Sequence, residues 1–211
     1  MRLRHDPAAA AFVAACPLAL QEKEALLQRG HWAALFGNDA PICLEIGMGR
    51  GRFLTTAAAA NPAVNYLGLE LRPEMVMQAA LRLRTEMALQ NLRFLQLDAA
   101  LLPELFAPGE LSQIYLHFPD PWPKARHAKR RLTTPQLLAC YYHLLCPGGE
   151  LYFKTDNPAL FAWSLENFRA SSFHLVAVCE DDPLQDGQIM TEYEARYRQQ
   201  GIAIHSLRAV K

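Results

Sequence analysis

The sequence carries no net charge: 21 lysines and arginines offset 21 aspartates and glutamates over 211 residues. A protein that coats nucleic acid with its whole surface is thereby excluded, although a local basic patch can still hold phosphates. Long hydrophobic runs are missing too, and nothing approaches the roughly 18 apolar residues of a membrane span. The one stretch with the look of a targeting signal, Ala8 to Leu20 after Arg2 and Arg4, offers only Ala8 to Phe12 as an apolar core before Cys16, and Asp6-Pro7 breaks its basic start. A signal peptide needs a longer core, so a cytoplasmic chain is expected. Cysteines are few, at 16, 43, 140, 146 and 179, and none forms a C-x-x-C pair. They read as buried reduced thiols, with no metal site and no disulfide framework.

What is present is the composition of an ordinary globular domain, 51% hydrophobic and 20% charged. A chain of this length buries roughly 70% of the surface its unfolded form exposes, so its core needs no metal or disulfide staple. From residue 41 onward, short apolar runs alternate with longer segments of helical period, the signature of a parallel sheet covered by helices. Strands are expected at Ile42–Ile46, Asn65–Leu69, Arg93–Leu97, Gln113–Phe118 and Glu150–Lys154, and helices at 52–60, 74–89, 134–145 and 158–169. Two more strands are expected at 172–180 and 202–210, separated by a stretch holding Asp181, Asp182, Asp186 and Gly187, which gives seven. Residues 1–40 read as an N-terminal extension with two short helical stretches, and 41–211 as one α/β domain.

The first strand runs into Glu45-Ile46-Gly47-Met48-Gly49-Arg50-Gly51, a glycine-rich strand-to-helix turn. Glycines there permit positive φ and close approach of a ligand to the backbone, and the helix that follows offers N–H groups. The spacing is G-x-G-x-G, whereas a dinucleotide fingerprint wants G-x-G-x-x-G, and position 52 is arginine. A glutamate two residues before the first glycine suits a ligand with an ammonium to neutralise, such as S-adenosylmethionine. The second strand ends at Glu70, where a carboxylate can accept from both ribose hydroxyls, a device that nicotinamide sites share. The third ends at Asp98, beside the place an adenine would occupy; a helix N-cap is an equally good account of that residue taken alone.

The most specific segment is His117-Phe118-Pro119-Asp120-Pro121-Trp122-Pro123-Lys124, whose three prolines in five residues stiffen the loop and fix the directions of Asp120 and Trp122. Trp122 is placed either to stack on a base or to pack in the core. Lys124, Arg126, His127, Lys129, Arg130 and Arg131 follow within eight positions, the one dense cationic run in a neutral chain. Beside a stiff strand-end loop, such a run favours phosphate contact over a merely solvated face. Lys154-Thr155-Asp156-Asn157 ends the fifth strand, and Met190-Thr191-Glu192-Tyr193-Glu194 by itself reads as the start of an amphipathic helix.

Taken together, Glu45-Ile46-Gly47-x-Gly49-x-Gly51, Gly68-Leu69-Glu70, Phe118-Pro119-Asp120-Pro121-Trp122-Pro123-Lys124 with its basic tail, Phe153-Lys154-Thr155-Asp156-Asn157 and Thr191-Glu192-Tyr193-Glu194 resemble the bacterial tRNA (guanine-N7-)-methyltransferase family over about residues 41–211. The resemblance implies a single Rossmann-like class I methyltransferase domain with a seven-stranded, mostly parallel sheet and helices on both faces. It implies methyl transfer from S-adenosylmethionine to N7 of a variable-loop guanosine in tRNA, forming 7-methylguanosine. By position it makes Glu45, Glu70, Asp98 and Asp120 the cofactor-site acids, alongside Gly47, Gly49 and Gly51, and Asp120 the active-site residue. It makes Lys124, Asp156, Thr191, Glu192, Tyr193 and Glu194 substrate contacts, and Arg126, His127, Lys129, Arg130 and Arg131 the RNA-contact segment. A methyltransferase acting on small molecules would not need the 124–131 run, and a non-enzymatic tRNA-binding module would not need acids at three successive strand ends.

Overall fold

The structure, a computed structural model, describes residues 5–84, 89–183 and 188–211. Arg2 and Arg4, positions 85–88 of the expected helix, and Asp186 and Gly187 lie outside the described residues. The chain forms two compact units, Met1–Phe106 and Ala107–Lys211.

The first unit runs α1 (Ala8–Ala14), β1 (Ala19–Leu20), α2 (Glu22–Leu26), α3 (Trp32–Phe36), β2 (Ile42–Ile46), α4 (Arg52–Ala60), β3 (Asn65–Leu69), α5 (Pro73–Arg84), β4 (Leu92–Leu95) and α6 (Leu102–Leu105). Its strands are parallel and lie in the order β1-β4-β3-β2. Every residue of β2 and β3 is buried, which is why these strands read as mainly apolar runs, Glu45 and Asn65 apart, and not as alternations. Their register, Ile42 opposite Asn65 through Ile46 opposite Leu69, ends both strands at one level. Gly47 and Glu70 therefore leave the sheet side by side.

Side chains between Ala9 and Trp32 contribute to this core. Ala9, Val13, Ala25 and Trp32 are buried, Trp32 stacks on Phe106 with centroids 5.3 Å apart, and its indole N–H donates to the Leu105 carbonyl at 3.0 Å. β1 pairs with β4 through Ala19 and Phe94. It brings the strands among the described residues to eight, where seven are expected from sequence; a two-residue strand shows no period to read.

The second unit runs β5 (Leu111–His117), α7 (Pro135–Leu144), β6 (Leu145–Thr155), α8 (Pro158–Arg169), β7 (His174–Cys179), α9 (Glu192–Gln199) and β8 (His205–Val210), with strand order β5-β6-β8-β7. β5 and β6 are parallel, and β8 is antiparallel to both its neighbours. Proline at the first position and a capping side chain start both α7 (Thr134, Pro135) and α8 (Asn157, Pro158). Phe153 stacks against Phe161 and Phe168 in the core. β6 starts at Leu145, five residues earlier than expected, because Leu145 itself pairs with Leu111.

All five cysteines are unbridged, and only Cys43 is buried; the other four are half-buried, not the interior thiols expected. Burial pushes the Cys43 thiol up to about 12. Among the described residues no helix is long and apolar enough to cross a membrane.

Candidate functional site

In the first unit, the turn after β2 is held to the end of β3. The N–H groups of Gly47 and Met48 both donate to the Leu69 carbonyl, at 2.8 and 3.2 Å. Gly47, Gly49 and Gly51 have φ of 76°, 56° and 68°, the left-handed region that side-chain-bearing residues avoid. At Gly49 a Cβ would meet nothing within 4 Å, whereas at Gly51, which caps α4, it would come within 2.7 Å of Ala79 Cβ. Gly49 therefore leaves open space over its backbone, and Gly51 lets α4 and α5 pack.

Glu70 locks this turn. Its Oε2 accepts from the Gly49 N–H at 3.1 Å and its Oε1 from the Arg72 N–H at 3.0 Å. The carboxylate is thus fixed at the strand end, half-buried. Glu45 is 2% exposed, opposite Gly68 in the ladder. Asp98 is exposed and caps the turn Ala99–Leu101 through the Ala100 N–H at 2.9 Å, the alternative to a cofactor contact that its position in the sequence left open.

In the second unit, the proline loop is strained. Phe118 and Trp122 have φ of 50° and 41°, and each precedes a proline, which disfavours helical conformations further. Non-glycine residues held in that region cost on the order of 1–3 kcal/mol each and persist only where their surroundings over-determine them. Those surroundings are visible. The Phe118 N–H donates to the Lys154 carbonyl at 2.8 Å, and its ring lies 5.9 Å from that of Tyr197. The Trp122 indole has the Arg130 guanidinium over it at 4.9 Å and His127 edge-on at 5.7 Å. Arg131 donates from Nε to the Pro121 carbonyl (3.0 Å) and from Nη2 to the Trp122 carbonyl (3.1 Å), while its guanidinium lies 4.6 Å over Trp163. Asp120 is exposed between these anchors.

The basic run forms a short 3-10 stretch, Ala125–Arg130, with Lys124, Arg126, Lys129 and Arg130 exposed and His127 and Arg131 half-buried. Arg126 lies against His127, Nε to Nε2 at 3.4 Å.

Thr191 and Glu194 are integral to α9: Thr191 Oγ1 caps the helix through the Glu194 N–H. The Glu194 side chain, 1% exposed, takes Lys154 Nζ at 3.0 Å and Arg198 Nη2 at 2.8 Å. Asp182 completes the cluster, 2.8 Å from Lys154 and 3.6 Å from Arg198. Burial alone would raise the Asp182 carboxyl, but the hydrogen bond and charge of Lys154, with hydrogen bonds from Ser206 and Gln188, outweigh it and hold it below the usual carboxylate range. Glu192 is half-buried, and Tyr193 is 53% exposed with its ring 6.1 Å from Tyr197. Asp156 is half-buried; burial and its charge both raise the Tyr197 phenol.

Sequence reasoning missed Asp182 and Arg198 as partners and Trp163 as the platform under Arg131. Glu194 and Arg198 stand at the i,i+4 spacing of a helical ion pair, which was a readable signal; nothing local marks Trp163.

A protein family described as "Putative methyltransferase" matches residues 39–207. The tRNA (guanine-N(7)-)-methyltransferase of Brevibacillus brevis is 43% identical over 99% of this chain and 98% of its own length. That of Listeria monocytogenes serotype 4b is 44% identical over 99% and 98%. The crystal structure of the 16S rRNA methyltransferase KamB shares the fold at TM-score 0.66 and 15% identity, covering 86% of this chain and 92% of that one. A 16S rRNA (adenine(1408)-N(1))-methyltransferase with cosubstrate SAM from Catenulisporales acidiphilia does so at TM-score 0.63 and 17% identity, covering 86% and 90%. The fold is therefore that of the methyltransferases, and the chain belongs to the tRNA (guanine-N(7)-)-methyltransferase family.

Proposed function

We propose that this chain is an S-adenosylmethionine-dependent enzyme that methylates N7 of a variable-loop guanosine in tRNA. The observation that carries it is the likeness, over 99% of the chain, to proteins named tRNA (guanine-N(7)-)-methyltransferase. The first unit fits the cofactor: open backbone at Gly47 and Gly49, and a carboxylate at Glu70 tied to the same turn. Gly47, Gly49 and Gly51 give its backbone approach, Glu70 takes the ribose hydroxyls, Glu45 faces its ammonium, and Asp98 and Asp120 complete the set of acids.

S-adenosylmethionine, when bound, supplies a methyl carbon made electrophilic by its sulfonium. Guanine N7 holds an in-plane lone pair and no proton, so this chain has no proton to abstract and its residues act by position and charge. Asp120 stabilises the positive charge that the purine gains and accepts from guanine donors, a pattern adenine lacks. Lys124, Arg126, Lys129 and Arg130, exposed along one stretch, hold tRNA phosphates and set register without reading sequence. His127, Asp156, Thr191, Glu192, Tyr193 and Glu194 form the rest of the substrate side. A tRNA substrate places the enzyme in the cytoplasm.

Incubation with methyl-labelled S-adenosylmethionine and unmodified tRNA, followed by nucleoside analysis, tests the reading. Label in 7-methylguanosine is the expected result; label on adenosine, uridine or protein, or none, overturns it.

A further inference from the structure

The basic run is not uniform. Arg126, Lys129 and Arg130 are exposed, but the Arg131 guanidinium is turned inward onto the loop that carries Asp120. Its Nε and Nη2 donate to two consecutive carbonyls, Pro121 at 3.0 Å and Trp122 at 3.1 Å, and its guanidinium lies over the Trp163 ring at 4.6 Å. Among the described residues, Trp122 is one of the two non-glycine residues held at positive φ. A residue in that conformation before a proline relaxes unless something restrains it. The two bonds hold the peptide groups on either side of Trp122, two residues after Asp120, and α8 supplies the platform through Trp163. A planar fork is suited to this; an ammonium cannot reach two carbonyls and stack at once.

We infer that Arg131 is a positioning residue for methyl transfer, a brace that keeps the strained Pro119–Pro123 loop, and with it Asp120, in register, and that it is not a phosphate contact. This rests on the function proposed above, since Asp120 matters only if it faces the reacting base. Trp163, remote from the basic run in sequence, serves the same end by holding the guanidinium flat.

The test compares Arg131→Ala, Arg131→Lys and Trp163→Leu with wild type in single-turnover methylation at saturating tRNA and cofactor, in tRNA affinity against salt, and in amide exchange over residues 118–124. With a brace removed, the single-turnover rate of Arg131→Ala falls by roughly 10²-fold, the loss expected when a reacting group is displaced by about an ångström. The tRNA salt slope stays at its wild-type value, and exchange at the Phe118 amide, which donates to the Lys154 carbonyl at the start of the loop, speeds up. Arg131→Lys does not restore the rate, because charge alone is not what is used. Trp163→Leu falls in the same direction by less, and the double variant is no slower than Arg131→Ala, as two residues acting through one contact require.

The inference is overturned by an unchanged rate in Arg131→Ala, by full rescue in Arg131→Lys, or by a tRNA salt slope shallower by about 0.7–0.9, the mark of one lost phosphate contact. Amide exchange keeps the two readings apart. If the wild type methylates no tRNA, the proposed function fails, while faster exchange in Arg131→Ala still shows the brace and unchanged exchange removes it.

Discussion

Lys154 Nζ lies 3.0 Å from Glu194 Oε1, joining the end of β6 to the first turn of α9. The pair is nearly dry, with the lysine side chain 12% and the glutamate 1% exposed. Removing one partner of a buried pair leaves the other charge stranded, at about 3–5 kcal/mol. Arg198 still partners Glu194 at 2.8 Å, so Lys154→Met should cost about 3 kcal/mol, the low end of that range. Urea denaturation measures it, and a loss under about 1 kcal/mol, the value of an exposed pair, would show the cluster to be solvated.

The acid limb of stability should report Asp182. Its carboxyl is held below the usual range when folded, so it stabilises the fold above its unfolded pKa of about 3.9, and that contribution is lost as pH falls through the lower folded value. The stability gap between wild type and Asp182→Asn should be constant from about pH 5 to 7 and shrink below about pH 4. A gap independent of pH down to acid unfolding would contradict the assignment.

Two glycines of one turn should behave differently. Gly49→Ala meets only the strain of a left-handed alanine, roughly 1–2 kcal/mol. Gly51→Ala adds a Cβ within 2.7 Å of Ala79 Cβ, a further ~1–3 kcal/mol of overpacking. Denaturation without ligand should rank Gly51→Ala as clearly the worse; equal losses would mean α4 and α5 separate easily.

Cofactor affinity should depend on Glu70. Glu70→Ala removes two charge-assisted acceptors and releases the Gly49 N–H, so calorimetry should show S-adenosylmethionine binding weakened by roughly 1–3 kcal/mol in a folded protein. Unchanged affinity would leave Glu70 as a loop brace alone.

Much of this architecture was legible in the residues. β2 and β3 fall where the runs Ile42–Ile46 and Asn65–Leu69 place them, because strands buried on both faces read as short, mainly apolar segments without alternation, each with one buried polar residue, Glu45 and Asn65. The helix expected at 158–169 is α8, and its start is set locally: Asn157 as cap and Pro158 at the first position need no tertiary partner. β1 was not legible, since two residues carry no periodicity and its existence depends on Phe94, far along the chain. The same limit applies to Arg131. Composition marks it as one more cation, and only the carbonyls of Pro121 and Trp122 and the ring of Trp163 separate it from its neighbours. The strain at Phe118 and Trp122 was likewise invisible, although the prolines that make the loop stiff were plain.

The exposed cations should act additively on tRNA. Replacing Lys124, Arg126 and Lys129 together by alanine should make the plot of log affinity against log salt shallower by about 2–3, near one counterion per lost contact. A slope equal to wild type would make them ordinary surface charges.

The transfer should need no general base. The single-turnover rate should stay nearly flat with pH above the carboxylate range, and Asp120→Asn should lower it while S-adenosylmethionine affinity changes by less than roughly tenfold. A rate rising through neutrality would require proton abstraction, and indifference to Asp120→Asn would make this acid structural.

Where the methyl lands decides the matter most directly. A single unmodified tRNA transcript, treated with the enzyme and S-adenosylmethionine and then reduced and exposed to aniline, breaks only where guanine N7 has been alkylated. One cleavage within the variable loop is the predicted result. An intact transcript methylated on another base, or cleavage elsewhere in the molecule, would contradict methylation of that guanosine at N7.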